Sequence, residues 1–204
     1  MWIKICGLTT PEAVAAALAA RVDAIGFVFA DSVRRVTPEA AARLAAPARG
    51  RVRCVAVTRH PDQATLDGIL ATFAPDVLQT DAADFAALRL PATLARLPVV
   101  RSARLPDAAV PPRVLFEGPA SGSGVPADWS GAARLAARTE LVLAGGLTAH
   151  NVAAALAQVR PFGVDVSSGV EAQPGVKSSA AIAEFVAAVR AAGVPAAPPR
   201  EDDV

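Results

Sequence analysis

The sequence predicts an α/β protein, a single (β/α)8 TIM barrel close to the smallest size that fold takes. Two observations carry this. Short β-type runs alternate with Ala-rich helical runs along the chain, and strand–helix alternation implies parallel strands. Eight such units occupy 204 residues, against a lower limit of about 200 for a barrel. A doubly wound open sheet is the other architecture that alternation allows. Hydrophobic residues make up 53% of the chain but aromatics only 4%, so the core is expected from Val, Leu, Ile and Ala.

The elements follow in order. The first strand covers residues 2–6 and ends at Gly7. Thr10-Pro11-Glu12 then starts a helix: Thr as N-cap, Pro at the first helical position, an acid in the first turn. Val14 and Leu18 recur at i, i+4 on one buried face. A second strand at 24–29 is followed by the same start chemistry in Thr37-Pro38-Glu39. The third strand is 52–57, with a helix over 61–72, and the fourth is 76–79, with a short helix over 82–88. Residues 99–102 read as the fifth strand, with a weak short segment behind it. The sixth strand, 114–116, leads through a Gly/Ser-rich loop to Asp128 and a helix over 130–137. The seventh, 141–144, ends at Gly145-Gly146, and Thr148 is expected to cap a helix running to residue 159. The eighth is 163–166, and the last helix covers 179–192. The barrel domain is assigned to 1–193, and the Pro-rich stretch 194–204 is expected to be a disordered tail.

Composition excludes several classes of function. Twenty Lys and Arg against 19 Asp and Glu leave a net charge of +1, without the basic excess of a nucleic-acid protein. Two cysteines are too few for a disulfide scaffold. No run of about 18 apolar, charge-free residues reads as a membrane span. The N-terminus lacks the basic and apolar regions of a signal peptide. The expected location is cytoplasmic, with no membrane or nucleic-acid partner; monomer and homodimer both stay open. Scattered cysteines and histidines give no metal-ligand spacing.

A barrel places its active site at the C-terminal ends of its strands. The seventh and eighth strands end in Gly145-Gly146 and Ser167-Ser168-Gly169. Glycines let backbone N–H groups approach an anion, hydroxyls add donors, and a short helix at 168 would present its N-terminus. Loops 7 and 8 are the usual barrel phosphate position. Cys6 closes the first strand, where position alone permits either an inert core thiol or a reactive one; Cys54, among valines, reads as core. His60 and His150 read as surface residues. Period-2 alternation puts Trp2, Lys4 and Cys6 on one face, and Asp165 with Ser167 on one face of the eighth strand. Barrel closure makes these strands neighbours, so Lys4 and Asp165 are expected to form a buried ion pair that biases Cys6 toward thiolate.

Several of these residues spell a family in order: Lys4-Ile5-Cys6-Gly7, Gly26-Phe27-Val28-Phe29, Ser32-Val33-Arg34, Asp128-Trp129 and Ala144-Gly145-Gly146-Leu147. Asn151-Val152, Asp165-Val166-Ser167-Ser168-Gly169-Val170-Glu171 and Pro174-Gly175-Val176-Lys177 follow. The chain resembles phosphoribosylanthranilate isomerase of tryptophan biosynthesis over about residues 2–190. The resemblance implies an Amadori rearrangement of N-(5-phosphoribosyl)anthranilate to 1-(o-carboxyphenylamino)-1-deoxyribulose 5-phosphate, without cofactor or metal. It implies Cys6 as general base, Asp128 as general acid and Arg34 on the anthranilate carboxylate. Phosphate would sit at Gly145, Gly146, Ser167, Ser168 and Gly169, with Gln79 and Asp165 in support. The sequence departs from the family pattern at Leu78-Gln79-Thr80-Asp81, where Gln-Leu-His-Gly is usual, at Ser121–Val125, and at Glu117, where an aspartate is common. The alternatives are another phosphosugar isomerase or epimerase barrel, and a catalytically silent barrel that binds a phosphorylated metabolite.

Overall fold

The computed structural model describes residues 1–101, 110–118 and 127–193. It is a closed parallel barrel, each of whose eight strands pairs with the next while the eighth closes on the first. The strands are β1 (Trp2–Cys6), β2 (Ala24–Val28), β3 (Arg53–Val57), β4 (Val77–Asp81), β5 (Ala95–Val100), β6 (Arg113–Phe116), β7 (Glu140–Leu143) and β8 (Gly163–Val166). Around them run α1 (Pro11–Ala19), α2 (Pro38–Ala45), α3 (Gln63–Phe73), α4 (Trp129–Ala136), α5 (Val152–Val159) and α6 (Ser179–Ala191). Closure removes the open sheet from consideration. Among the described residues no helix is long and apolar enough to cross a membrane.

Local chemistry explains where the helices begin. Thr10 and Thr37 are the N-caps of α1 and α2, each accepting from the backbone N–H three residues on, with proline at the first position. Alternation sorts the strands into two cores. Ile3 and Ile5 point outward into the layer shared with Val14, Ala17 and Phe185 of the helices. A second cluster of Leu97, Val99, Leu115, Val142 and Ala144 fills the barrel on the β5–β7 side. The β8–β1 side of the interior is polar, holding Lys4 and Asp165.

The structure corrects three expected elements. The fifth strand begins four residues earlier than the hydrophobic run suggests and carries Pro98 opposite Thr80; a proline inside a strand argues against reading it as one from sequence. The segment after β4 is a 3-10 helix, Ala82–Ala86. Thr148 does not cap a helix: α5 starts at Val152 with Asn151 in the cap position. The Asn151 side chain instead accepts from the Thr148 N–H at 2.8 Å and donates to the Gly146 carbonyl at 2.8 Å, so it braces the loop after β7. One feature had no sequence signal, an antiparallel hairpin of β9 (Glu171–Gln173) and β10 (Val176–Lys177) between β8 and α6. The weak segment behind the fifth strand, the altered Ser121–Val125 loop and the 194–204 tail lie outside the described residues.

Candidate active site

The catalytic end of the barrel is built around the β8–β1 seam. Register pairs Lys4 with Asp165 across it, and the Lys4 Nζ donates to Asp165 Oδ1 at 2.8 Å with the ammonium wholly buried. The expected ion pair is therefore present. Gly26 makes room for it: a Cβ there would lie 3.0 Å from Lys4 Cε and 3.1 Å from Cys6 Sγ. Burial opposes the Lys4 charge, but Asp165 and Cys6 outweigh it, and the ammonium pKa ends raised.

Cys6 lies one pleat above Lys4, 6% exposed. Its thiol is shifted up. Burial is the largest cause, and the charge of Asp165 adds to it, while Lys4 and Lys177 pull the other way with less effect. The sequence argument that Lys4 favours the thiolate gives the right sign for that one contribution; burial decides the sum. Cys54 is buried among the outward residues with its pKa pushed up to about 11 by burial, as expected of a core thiol.

Cys6 opens into a cavity of about 190 Å3 whose walls include Arg34, Gln79, Arg101, Glu117 and Ser167. A smaller hollow of about 40 Å3 is lined by Gly145, Gly146, Ser167 and Ser168. Both hollows also touch Glu117 and Asp165, so they adjoin. The smaller exceeds the about 10–15 Å3 that one water needs. Gly145 and Gly146 sit at φ +88° and +64°, a region that side chains disfavour. Gly169 has a different reason: a Cβ there would stand 1.9 Å from the Leu147 carbonyl oxygen, so its absence lets the loops after β7 and β8 touch. Ser168–Val170 forms a 3-10 turn at this point.

Arg34 arrives from the loop after β2. Gly7, at φ +74°, leaves the space it crosses: a Cβ there would fall 2.6 Å from Arg34 Cδ. Its Nε and Nη2 donate to the two carboxylate oxygens of Glu171 at 2.7 and 2.8 Å. Lys177, with its side chain fully buried, donates to the same Glu171 at 2.7 Å and to the Ser167 carbonyl at 2.9 Å. Glu171 and Lys177 stand in the family motif, yet sequence reasoning gave them no role, because a hairpin that folds back over the barrel has no periodicity to aim it. Burial alone would raise the Glu171 pKa; hydrogen bonds from Arg34 and Lys177 outweigh it and hold the carboxyl at about 2. A folded pKa below the unfolded value near 4.5 gives stability that is present above that value and lost as pH falls through 4.5 toward 2. Glu171→Gln is therefore expected to flatten the acid side of a urea-midpoint profile over that window. An unchanged acid limb would contradict this.

On the opposite wall Arg101 pairs with Asp81 of β4 and with Glu117, at 2.8 Å for the latter. Asp81 and Glu117 are two of the departures from the family pattern, and the structure joins them through one guanidinium. Gln79 is buried in the same cavity with its Oε1 unpartnered. His60 is exposed, as read, and bridges Asp81 and Asp84; His150 and Arg35 are exposed too. Asp128 is the N-cap of α4, its Oδ1 accepting from the Gly131 N–H at 3.0 Å. It is exposed and is not among the residues that line the cavity. The structure thus brings Cys6, Arg34, Gln79, Asp165 and the two loops together, and Asp128 is not among them.

Comparisons with known proteins agree on one family. The family model for N-(5'-phosphoribosyl)anthranilate (PRA) isomerase matches residues 3–188. The chain is 41% identical over 217 residues to the N-(5'-phosphoribosyl)anthranilate isomerase of a Rhizobium etli strain, with 97% of each covered. The crystal structure of phosphoribosyl anthranilate isomerase from Thermus thermophilus superposes with a TM-score of 0.82 at 28% identity, covering 94% of this chain and 99% of that one. A further phosphoribosyl anthranilate isomerase, 29% identical with a TM-score of 0.77 and covering 94% of this chain and 99% of that one, was solved in complex with reduced 1-(o-carboxyphenylamino)-1-deoxyribulose 5-phosphate. With the closed barrel and the motif residues gathered at one end, the chain belongs to the N-(5'-phosphoribosyl)anthranilate isomerase family, aldose–ketose isomerases of tryptophan biosynthesis.

Proposed function

We propose that the chain performs the family's Amadori rearrangement with Cys6 as general base and Asp128 as general acid. Asp128 gives a proton to the furanose ring oxygen of N-(5-phosphoribosyl)anthranilate, the C1–O bond breaks, and a protonated Schiff base forms. Cys6, as thiolate, takes the C2 proton to give the enolamine. C1 then gains a proton, the C2 hydroxyl loses one, and the ketone is complete; substrate and product have the same atoms and oxidation balance. The substrate's phosphate takes the Gly145-Gly146 and Ser167-Ser168 loops, and its carboxylate approaches Arg34. Gln79 and Asp165 support the sugar and the Lys4 charge.

The observation that carries this reading is the shared cavity of Cys6, Arg34 and Ser167. A thiol, a guanidinium and the Ser167 wall of the loop after β8 line one hollow. A raised thiol pKa also suits a carbon base. The cationic Schiff base above Cys6 favours the thiolate in the complex, and a thiol whose pKa burial raises gives a more basic thiolate. Glu171 already takes the Nε donor and one Nη2 donor of Arg34, so the substrate carboxylate meets the end-on Nη1–Nη2 edge, which still offers two parallel donors.

The test is turnover of freshly made N-(5-phosphoribosyl)anthranilate. The wild-type chain is expected to convert it, and Asp128→Ala to lose about 10²–10⁴ in kcat while binding the reduced product analogue within a few-fold of wild type. Because Asp128 also caps α4, Asp128→Asn, which keeps a capping acceptor, is expected to fail in turnover as fully as the alanine variant. An active Asp128→Asn would sink the acid assignment. A wild-type chain that binds the analogue without turnover would sink the reaction.

A further inference from the structure

We propose that Lys177 is a positioning residue that ties together the two anion-binding ends of the site, acting on Arg34 through Glu171 and on the phosphate loop through Ser167. This rests on the placement of the carboxylate and phosphate given above. The contacts form an unbroken chain. Arg34 holds Glu171 in a two-pronged pair. The Lys177 ammonium reaches Glu171 Oε1 at 2.7 Å, the Ser167 carbonyl at 2.9 Å and the Ser167 hydroxyl at 3.2 Å. Ser167 Oγ then donates to the Cys6 carbonyl at 3.1 Å. An ammonium has three protons, and here three acceptors surround it with no exposed side-chain surface.

The hairpin that carries Lys177 is fastened to the same parts by its backbone. Gly175, at φ +82°, lies so close to the Arg34 loop that a Cβ would stand 2.9 Å from the Val33 carbonyl oxygen. Thr9, just after β1, donates to the Gly175 carbonyl at 3.1 Å, and the Ser178 N–H closes the base of the hairpin on the Val170 carbonyl. The hairpin therefore spans from the carboxylate end to the phosphate end, with Lys177 beneath both. A buried lysine costs folding free energy unless it is paired. Of the charged groups around it, Arg34 and the Cys6 thiol line the cavity, and Glu171 is paired with Arg34. The geometry is that of a spacer whose length sets how far apart the two anion sites sit.

The experiment is a pair of double-mutant cycles. Affinity for the reduced product analogue and for inorganic phosphate is measured by calorimetry in wild type, Lys177→Met, Glu171→Gln, Arg34→Met and the two doubles with Arg34→Met. Lys177→Met and Glu171→Gln are each expected to weaken the analogue about ten- to hundredfold, the scale of one or two charge-assisted hydrogen bonds. In the Arg34→Met background Glu171→Gln is expected to change it less than about twofold, because its action runs through Arg34. Phosphate affinity is expected to fall in Lys177→Met and to hold in Glu171→Gln. In steady state Lys177→Met raises KM more than it lowers kcat. Equal effects of Glu171→Gln in both backgrounds overturn the proposal, and so does a lowered Tm with unchanged analogue affinity. If Lys177→Met does not fold, the Glu171→Gln cycle decides by the same criterion. Loss of turnover in the wild type would defeat the reaction proposed above and leave these binding results standing.

Discussion

Cys6→Ala is expected to remove nearly all turnover while leaving the site able to bind. Deleting a general base costs about 10²–10⁴ in rate, and no other thiol can substitute: Cys54 is buried with the outward core residues. On the proposed reading binding should survive, because Arg34 and the loops after β7 and β8 would hold the anions. The substitution removes one sulfur atom from a site whose packing is set by Gly26 and Lys4. Calorimetry with the reduced product analogue should therefore give an affinity within about threefold of wild type, against a kcat at or below about one hundredth. A Cys6→Ala chain that turns over at more than a tenth of the wild-type rate would remove the base from this position. The pH profile adds a second reading. The thiol pKa is raised, so kcat/KM should climb on the alkaline side of neutrality until another group limits it. A profile flat from pH 7 upward would argue against a buried thiol as the base.

Asp165→Asn is expected to be the most destabilising single change. Asp165 is the counter-ion of a lysine with no exposed surface, and removing one partner of a buried pair costs about 3–5 kcal/mol. For a domain whose whole stability is about 5–15 kcal/mol, that is a large share. The measurement is the urea midpoint, read with its slope so that a change in the denatured state is not mistaken for the effect. Lys4→Met combined with Asp165→Leu should recover most of the loss, since an apolar pair of similar volume is often no less stable than the ion pair it replaces. A single Asp165→Asn within about 1 kcal/mol of wild type would mean the charge is satisfied without Asp165. The retention of a costly pair beneath Cys6 agrees with a role in the site: the ammonium that Asp165 holds is the largest influence lowering the Cys6 pKa.

How much of this was legible beforehand depended on the distance over which each feature is decided. Thr10-Pro11-Glu12 and Thr37-Pro38-Glu39 announced α1 and α2 because capping is settled within four residues. Trp2–Cys6 and Gly163–Val166 have the bounds that the sequence predicts. The fifth strand reaches four residues further back than its hydrophobic run because Pro98 interrupts its first half, and the capping signal of Thr148 yields to Asn151, which takes that place three residues on. Even a contact 161 positions apart, Lys4 with Asp165, followed from the sequence, since period 2 fixed the face of each strand and closure fixed their adjacency.

The barrel, its eight strands, the inner faces of β1 and β8 and the family's motif residues are thus determined by the sequence itself, because hydrophobic period and local hydrogen bonding select them. The tertiary structure alone decided the rest. It decided that Arg34 is shared with Glu171 across 137 positions and that Lys177 lies under both ends of the site. It decided that Arg101 joins Asp81 to Glu117, and that the Cys6 thiol is shifted up. These are matters of loops meeting over the mouth of the barrel and of a charge balance inside it. No periodicity governs the loops, and the burial that outweighs Lys4 at Cys6 exists only once the barrel has closed around it.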